Sequence, residues 1–240
     1  MPWFFAVAER DHEIQNPTSP EKIRLLGERL RLGPESHVLD IACGKGGPAV
    51  LLADAFGCRI TGVERAAEFA SVARERVAVR GLAHRIEIVE ADAAELELGD
   101  ERYDVAMCLG ATFVWTDLLG TLAALTPAAR HGGHVVVGEP YWRRWPLPDS
   151  VPDEGYVTLG ETVERFHAAG LRITTLVASS EDDWDRYESL HWRALEEWLA
   201  SNPDDPDAPE IRRRHETSRD DYLRWGRELL GWAIFAARKA

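Results

Sequence analysis

Val38-Leu39-Asp40-Ile41-Ala42-Cys43-Gly44-Lys45-Gly46-Gly47 decides how the chain is read. An apolar run broken by one acid reads as a strand, and small residues then make a tight turn into a helix starting near Pro48. Such a turn lets backbone come close to a ligand and aims helix N–H groups at it. Gly44-x-Gly46-x-x-Ala49 satisfies the dinucleotide fingerprint spacing, which points to NAD(P). Asp40 points elsewhere. A carboxylate beside a pyrophosphate is a like-charge contact costing about 1–4 kcal/mol at 4 Å, whereas it suits a ligand that is positive at that end.

Outward from this turn, short apolar strands alternate with helices. HVLDIA (37–42), CRITGVE (58–64), RIEIVEA (85–91), YDVAMCL (103–109) and HVVVGE (134–139) read as strands. Pro48 to Phe56, Ala66 to Arg80 and Thr116 to Arg130 read as helices, the third interrupted near Pro127. That alternation implies right-handed crossovers and a parallel α/β sheet covered on both faces. Ahead of it, Thr18-Ser19-Pro20-Glu21 has capping-box spacing, with Ile23, Leu26 and Leu30 following at helical intervals. After Pro140 a proline-rich stretch (141–156) reads as an extended loop. A helix (Leu159 to Ala169) and a strand (171–178) resume the alternation. Residues 182–230 read as two helices joined by SNPDDPDAP, before a final strand at 231–239. The chain is therefore expected to form one domain over 1–240: an N-terminal segment (1–36), a cofactor core (37–140) and a substrate-side region (141–240).

Two further acids narrow the ligand. Glu64 ends the second strand, where a carboxylate can accept from both hydroxyls of a ribose. Asp92 follows the third strand, where it can accept from an adenine amine while backbone at Ala93 reads the ring edge. Asp40 and Glu64 each also have a plain reading as a cap of the helix that follows. Three acids after three successive strands, with no P-loop, favour an adenosyl ligand without phosphates. S-adenosylmethionine carries an ammonium and a sulfonium where Asp40 would want them. No tyrosine has a lysine four residues on, which removes the pair a short-chain dehydrogenase needs.

Composition sets the outer bounds. The chain has 240 residues, 28 Lys+Arg against 41 Asp+Glu, and a formal net charge of −13. Such a charge repels phosphate backbones and anionic lipid, so neither nucleic acid nor a membrane is an expected partner. An apolar content of 45% excludes a disordered chain. The three cysteines, Cys43, Cys58 and Cys108, have no ligand or disulfide spacing. His131 and His134 flank a Gly-Gly turn without further ligands, so no metal is expected. The start MPWFFAVAER lacks a basic n-region, and charge-free stretches such as Val105 to Thr116 are too short to span a bilayer. A cytoplasmic location fits best.

VLDIACGKGG with Glu64 and Asp92 resembles the class I S-adenosylmethionine-dependent methyltransferases. Ala42 stands where that family's DxGxGxG pattern usually has its first glycine. AERDHEIQNP, LGATFVW, GEPYWRRWP, DDWDRYE, ASNPDD and LGWAIFAARK are similar to a bacterial subgroup with GATxxW and GEPYW motifs and no firmly assigned substrate. The resemblance implies a Rossmann-like, mostly parallel seven-stranded sheet of order 3-2-1-4-5-7-6 with an antiparallel last strand. An N-terminal lid helix and a C-terminal helical hairpin insertion complete that fold. It also implies that Asp40, Ala42, Gly44 and Gly46 line the methionine end of S-adenosylmethionine, Glu64 the ribose, and Asp92 with Ala93 the adenine. Leu109 and Gly110 would lie along the cofactor near the sulfonium.

Methyl transfer is an in-line displacement at an activated carbon, so alignment and exclusion of water supply most of the acceleration. A base is needed only when the nucleophile arrives protonated. Glu139, His12 and Tyr141 are the candidates for that catalytic role, and Thr112, Trp115 and Trp142 for contact with the acceptor. The expected reaction is methyl transfer to a small-molecule N, O or S nucleophile, leaving S-adenosylhomocysteine. An NAD(P)-dependent oxidoreductase and a non-catalytic adenosyl-ligand-binding protein remain as alternatives. Seven of nine tryptophans follow residue 140. Trp184, Tyr187, His191, Leu195 and Trp198 recur on one helical face, expected to pack against the sheet or across a homodimer, or else to cover a substrate.

Overall fold

The computed structural model describes residues 2–239, so Met1 and Ala240, the ends of the expected unit, lie outside the described residues. Seven strands form one sheet: β1 (His37–Ile41), β2 (Arg59–Glu64), β3 (Ile86–Glu90), β4 (Tyr103–Leu109), β5 (Ala129–Trp142), β6 (Arg172–Ala178) and β7 (Leu230–Arg238). Their order is β3-β2-β1-β4-β5-β7-β6. The pairs β1/β2, β2/β3, β1/β4 and β4/β5 are parallel, while β7 runs antiparallel to both neighbours. This is the expected order, with the expected reversal of the last strand.

The longer helices among the described residues are α1 (Pro2–Ala8), α2 (Pro20–Arg29), α3 (Gly47–Phe56), α4 (Ala67–Val79), α5 (Leu118–Ala128), α6 (Leu159–Ala168), α7 (Glu181–Ser201) and α8 (Ala208–Asp221). Alternation along each strand splits the core in two. On one face Val38, Ile60, Met107, Val136 and Ile234 pack with Ile23 and Leu26 of α2, Leu52 of α3 and Trp184 of α7. On the other, Leu39, Ile41, Cys108, Val137 and Phe235 pack with Leu122 of α5 and Phe166 of α6. The helix starts are written locally. The Ser19 hydroxyl accepts from Lys22 N, and Thr158 and Ser180 open α6 and α7 with full capping boxes.

Three elements depart from the sequence reading. The apolar PWFFAVA segment, which carries no cap signal, forms α1. The helix expected to reach Arg130 stops at Ala128, and β5 begins directly after it. β5 then continues past Glu139 to Trp142, where a loop was expected. Pro140 lacks only its own donor, and β7 still supplies Leu230–Trp232 as partners across Pro140–Trp142. Gly231 makes room there, because a Cβ on it would stand 2.3 Å from the Tyr141 ring. β6 and β5 run in the same direction, so the α7–α8 hairpin, inserted between β6 and β7, stands at the carboxyl edge of the sheet. Among the described residues no helix is long and apolar enough to cross a membrane.

Candidate active site

The carboxyl ends of β1, β2, β4 and β5 meet at one edge, the position where open α/β sheets bind ligands. After β1 the chain turns through Ala42 (φ +52), Gly44 (φ +56) and Gly46 (φ +73) into α3. Glu64, at the end of β2, accepts from Gly44 N at 2.9 Å and from Ala66 N at 2.7 Å, so it braces the turn and opens α4. Each oxygen keeps a further lone pair, so bracing and ligand contact are compatible. Asp92 accepts from Ala94 N at 3.0 Å and lies 3.3 Å from Arg65, with Ala93 buried beside it. Asp40 differs from both. Its carboxyl is fully buried, its Oδ2 has no partner, and burial, reinforced by Glu64, pushes it up to about 8. Lys45, the one cation in the turn, points away and donates to the carbonyls of Glu9 (2.6 Å) and Arg10 (3.0 Å). The turn therefore offers glycine-lined backbone and an unpaired buried acid, with no side-chain cation for a phosphate. That donor set fits a cationic adenosyl ligand and opposes a pyrophosphate.

A second polar group closes the other side. Glu139 lies near the end of β5 and takes a hydrogen bond from the Thr112 hydroxyl at 3.0 Å. Thr112 follows Gly110 (φ +80) and Ala111 after β4, and its carbonyl accepts from Thr121 of α5 at 3.2 Å. Burial raises the Glu139 carboxyl to about 7, against the opposing pull of the Thr112 bond and the Arg165 charge.

A methyltransferase-domain family model matches residues 38–133, from β1 into the start of β5. An uncharacterized Escherichia coli protein, YjhP, is 32% identical over 98% of each chain. A methyltransferase from Thiobacillus denitrificans, solved with S-adenosylhomocysteine, superposes with TM-score 0.94 at 32% identity, covering 100% of this chain and 99% of that one. One from Geobacter sulfurreducens, also with S-adenosylhomocysteine, gives 0.94 at 34% identity, with 100% and 99% covered. This chain is an S-adenosylmethionine-dependent methyltransferase. The dinucleotide reading of Gly44-x-Gly46 is set aside with it.

Within this methyltransferase, not every expected site residue joins the group at the strand ends. His12 is buried against α7, with Nε2 2.9 Å from the Tyr187 carbonyl oxygen and Nδ1 3.3 Å from Glu9. Burial holds its imidazole below the ordinary value. Tyr141 shares the sheet face of Glu139, but its ring is packed over Gly231 in the core. Trp142 falls on the opposite face by strand alternation, fully buried between Tyr156 and Trp225, with ring centroids at 5.7 and 6.0 Å. Trp115 ends the short helical turn Thr112–Trp115 and is half-buried against α5. Trp184 of the aromatic stripe packs into the core with Tyr222, and Leu195 and Trp198 pack against α1 and α8.

Three neighbours of the site escaped the sequence reading. Gln15 accepts from Lys45 N at 2.8 Å, and its Oε1 stands 2.1 Å from where a Cβ on Gly44 would be. Asn16 donates to Leu109 O at 3.1 Å and crowds Gly110 in the same way. Phe113 is 70% exposed directly after Thr112. The signal for the first two lay in AERDHEIQNP, a polar run too rich in side-chain donors and acceptors for a mere linker.

Proposed function

We propose that this methyltransferase methylates a nitrogen, oxygen or sulfur nucleophile of a small molecule by in-line displacement, with Glu139 receiving the nucleophile's proton. The observation that carries this reading is the Glu139–Thr112 pair. A base works best when its pKa lies near the working pH, and burial brings Glu139 to about 7. The Thr112 hydroxyl lies 3.0 Å from one Glu139 carboxylate oxygen and 3.4 Å from the other, and so fixes the carboxylate in place, with lone pairs to spare for an acceptor's proton. S-adenosylmethionine, when bound, supplies a methyl group already activated on a sulfonium.

The residues proposed to hold it are those at the strand ends. Asp40, Ala42, Gly44 and Gly46 take the methionine end, Glu64 the ribose, Asp92 and Ala93 the adenine, and Leu109 and Gly110 the flank. The unpartnered Asp40 oxygen gains a partner from a cationic ligand, which supports that placement. Thr112, Trp115 and the exposed Phe113 are proposed to meet the acceptor.

Two measurements test the proposal. Incubating a metabolite extract with methyl-labelled S-adenosylmethionine should reveal a small molecule that gains the label, and labelling of protein alone would overturn the acceptor class. In the kcat–pH profile of the wild type, activity should rise through about 7 as Glu139 loses its proton. Glu139→Gln should lower kcat by about 10²–10⁴-fold, remove that limb and leave S-adenosylhomocysteine affinity within twofold. An unchanged profile would remove Glu139 as the base.

A further inference from the structure

Glu9 and His12, both buried, and the partly buried His191 come together where the N-terminal segment meets the middle of α7. One ligand-capable atom from each lies within 4.8 Å of the other two. The hydrogen bonds around them fix which atoms face inward. A carbonyl oxygen only accepts, so the 2.9 Å contact between His12 Nε2 and Tyr187 O places a proton on Nε2. A neutral His12 then has its lone pair on Nδ1. That Nδ1 is closed to solvent, has no hydrogen-bond partner, and lies 3.3 Å from Glu9 Oε2, which is equally buried and unpartnered. Two buried lone pairs facing each other repel unless positive charge is shared between them.

A single proton could serve Glu9 and His12, but the arrangement has a third member. His191 Nε2 comes to 2.9 Å of the other Glu9 oxygen, bringing a second imidazole to the same carboxylate. The outer contacts are those that hold metal ligands in orientation: the Tyr187 hydroxyl donates to Glu9 Oε1 at 3.1 Å while the Tyr187 carbonyl holds His12 Nε2–H. We propose that Glu9, His12 and His191 hold a divalent first-row transition-metal ion of the zinc class. Two imidazoles and a carboxylate are a borderline donor set that suits such an ion, with a fourth position left for water. The cation would replace the His191–Glu9 hydrogen bond and draw the three ligand atoms together.

Its place in the fold gives it a job. Lys45 of the turn after β1 is anchored on the carbonyls of Glu9 and Arg10, and from the same segment Gln15 reaches that turn and Asn16 the end of β4. An ion at Glu9 and His12 therefore pins to α7 the segment that lies over Gly44 and Gly110. This inference stands apart from the choice of acceptor or base.

The test is metal uptake by the tag-free, full-length protein after dialysis against EDTA. Titration with Co²⁺ at pH 7.5 should show one equivalent bound, with visible absorption of a low-coordinate site, and Zn²⁺ should displace it. Tyr187→Phe should weaken Co²⁺ binding by about 10–100-fold, the usual cost of losing an outer-shell partner. His191→Gln, which keeps a neutral polar side chain in place, should abolish uptake while circular dichroism stays that of the wild type. Absence of stoichiometric uptake, or uptake undiminished in both His191→Gln and Glu9→Gln, would overturn the assignment. So would ¹⁵N spectra showing His12 protonated on both nitrogens in protein that still refuses Co²⁺.

Discussion

Ala42 sits at φ +52, where the Cβ of an L-residue crowds the following carbonyl at a cost of about 1–2 kcal/mol. Glycine would relieve that crowding and give back about 0.5–1 kcal/mol through its freer unfolded chain. Ala42→Gly should therefore stabilise the protein by about 0.5–1 kcal/mol, read as a higher urea midpoint at unchanged m; a lower midpoint would show that the methyl packs usefully. Asp40 gives a prediction in pH. Its carboxyl titrates near 8 when folded and near 3.8 when free, so between those values the folded state holds the extra proton. Stability therefore falls as pH rises from about 4 to about 8. Asp40→Asn carries no such charge, so its gain in thermal midpoint should be small at pH 4.5 and larger at pH 8.5, and a gain independent of pH would contradict the burial of an ionising Asp40. At this scale much was legible. A strand-end acid needs only its own strand and turn to be read, which is why Asp40, Glu64 and Asp92 stand where the spacing predicts. Gln15 and Asn16 were not, because their partners Lys45 and Leu109 lie 30 and 93 residues away along the chain.

The N-terminal segment is the element on which the cofactor turn leans most. Gly47 lies so near it that a Cβ there would stand 1.9 Å from Glu13 O, and Arg76 of α4 donates to both Glu13 O and Lys45 O. Lys45→Met keeps the apolar stem and removes the ammonium that holds the carbonyls of Glu9 and Arg10. We expect faster proteolytic nicking within residues 9–17 and S-adenosylhomocysteine affinity several-fold weaker, with helix content unchanged. Equal proteolysis and equal affinity would show that Gln15 and Arg76 hold the segment by themselves. α2 was readable because Ser19, Pro20 and Glu21 mark its start locally. α1 was not, since its seven residues are stabilised by packing Phe4, Val7 and Ala8 against α7 and α8, a tertiary effect that overrides missing local signals. The extension of β5 through Pro140 has the same origin, since its pairing partners come from residues 230–232.

For the molecule as a whole, the sheet order came from motif resemblance, and the alternation of strands and helices alone implied only a covered parallel sheet. The structure puts all three cysteines inside that sheet and its helices, unpaired. Burial pushes the Cys58 thiol up to about 11 and Cys108 to about 12, and Cys43 higher still with help from Asp40 and Glu64. A thiolate is the reactive form, so none should react with a soluble disulfide reagent at pH 7.5 in the native state. All three should react together at the rate of global unfolding, and faster reaction of Cys43 alone would reveal local opening of the cofactor turn.

β7 lies between β5 and β6, and β6 has no other strand beside it. On the ribosome, β1 to β5 can pair as they emerge, each onto a strand already made. β6 then waits, with no sheet neighbour, through the whole of α7 and α8 until β7 arrives to join it. The β1–β5 part of the sheet can thus be complete before the strand that joins β6 to it is synthesised. A chain stalled short of residue 230 would carry five paired strands, with α7 and α8 already made and β6 still unmoored.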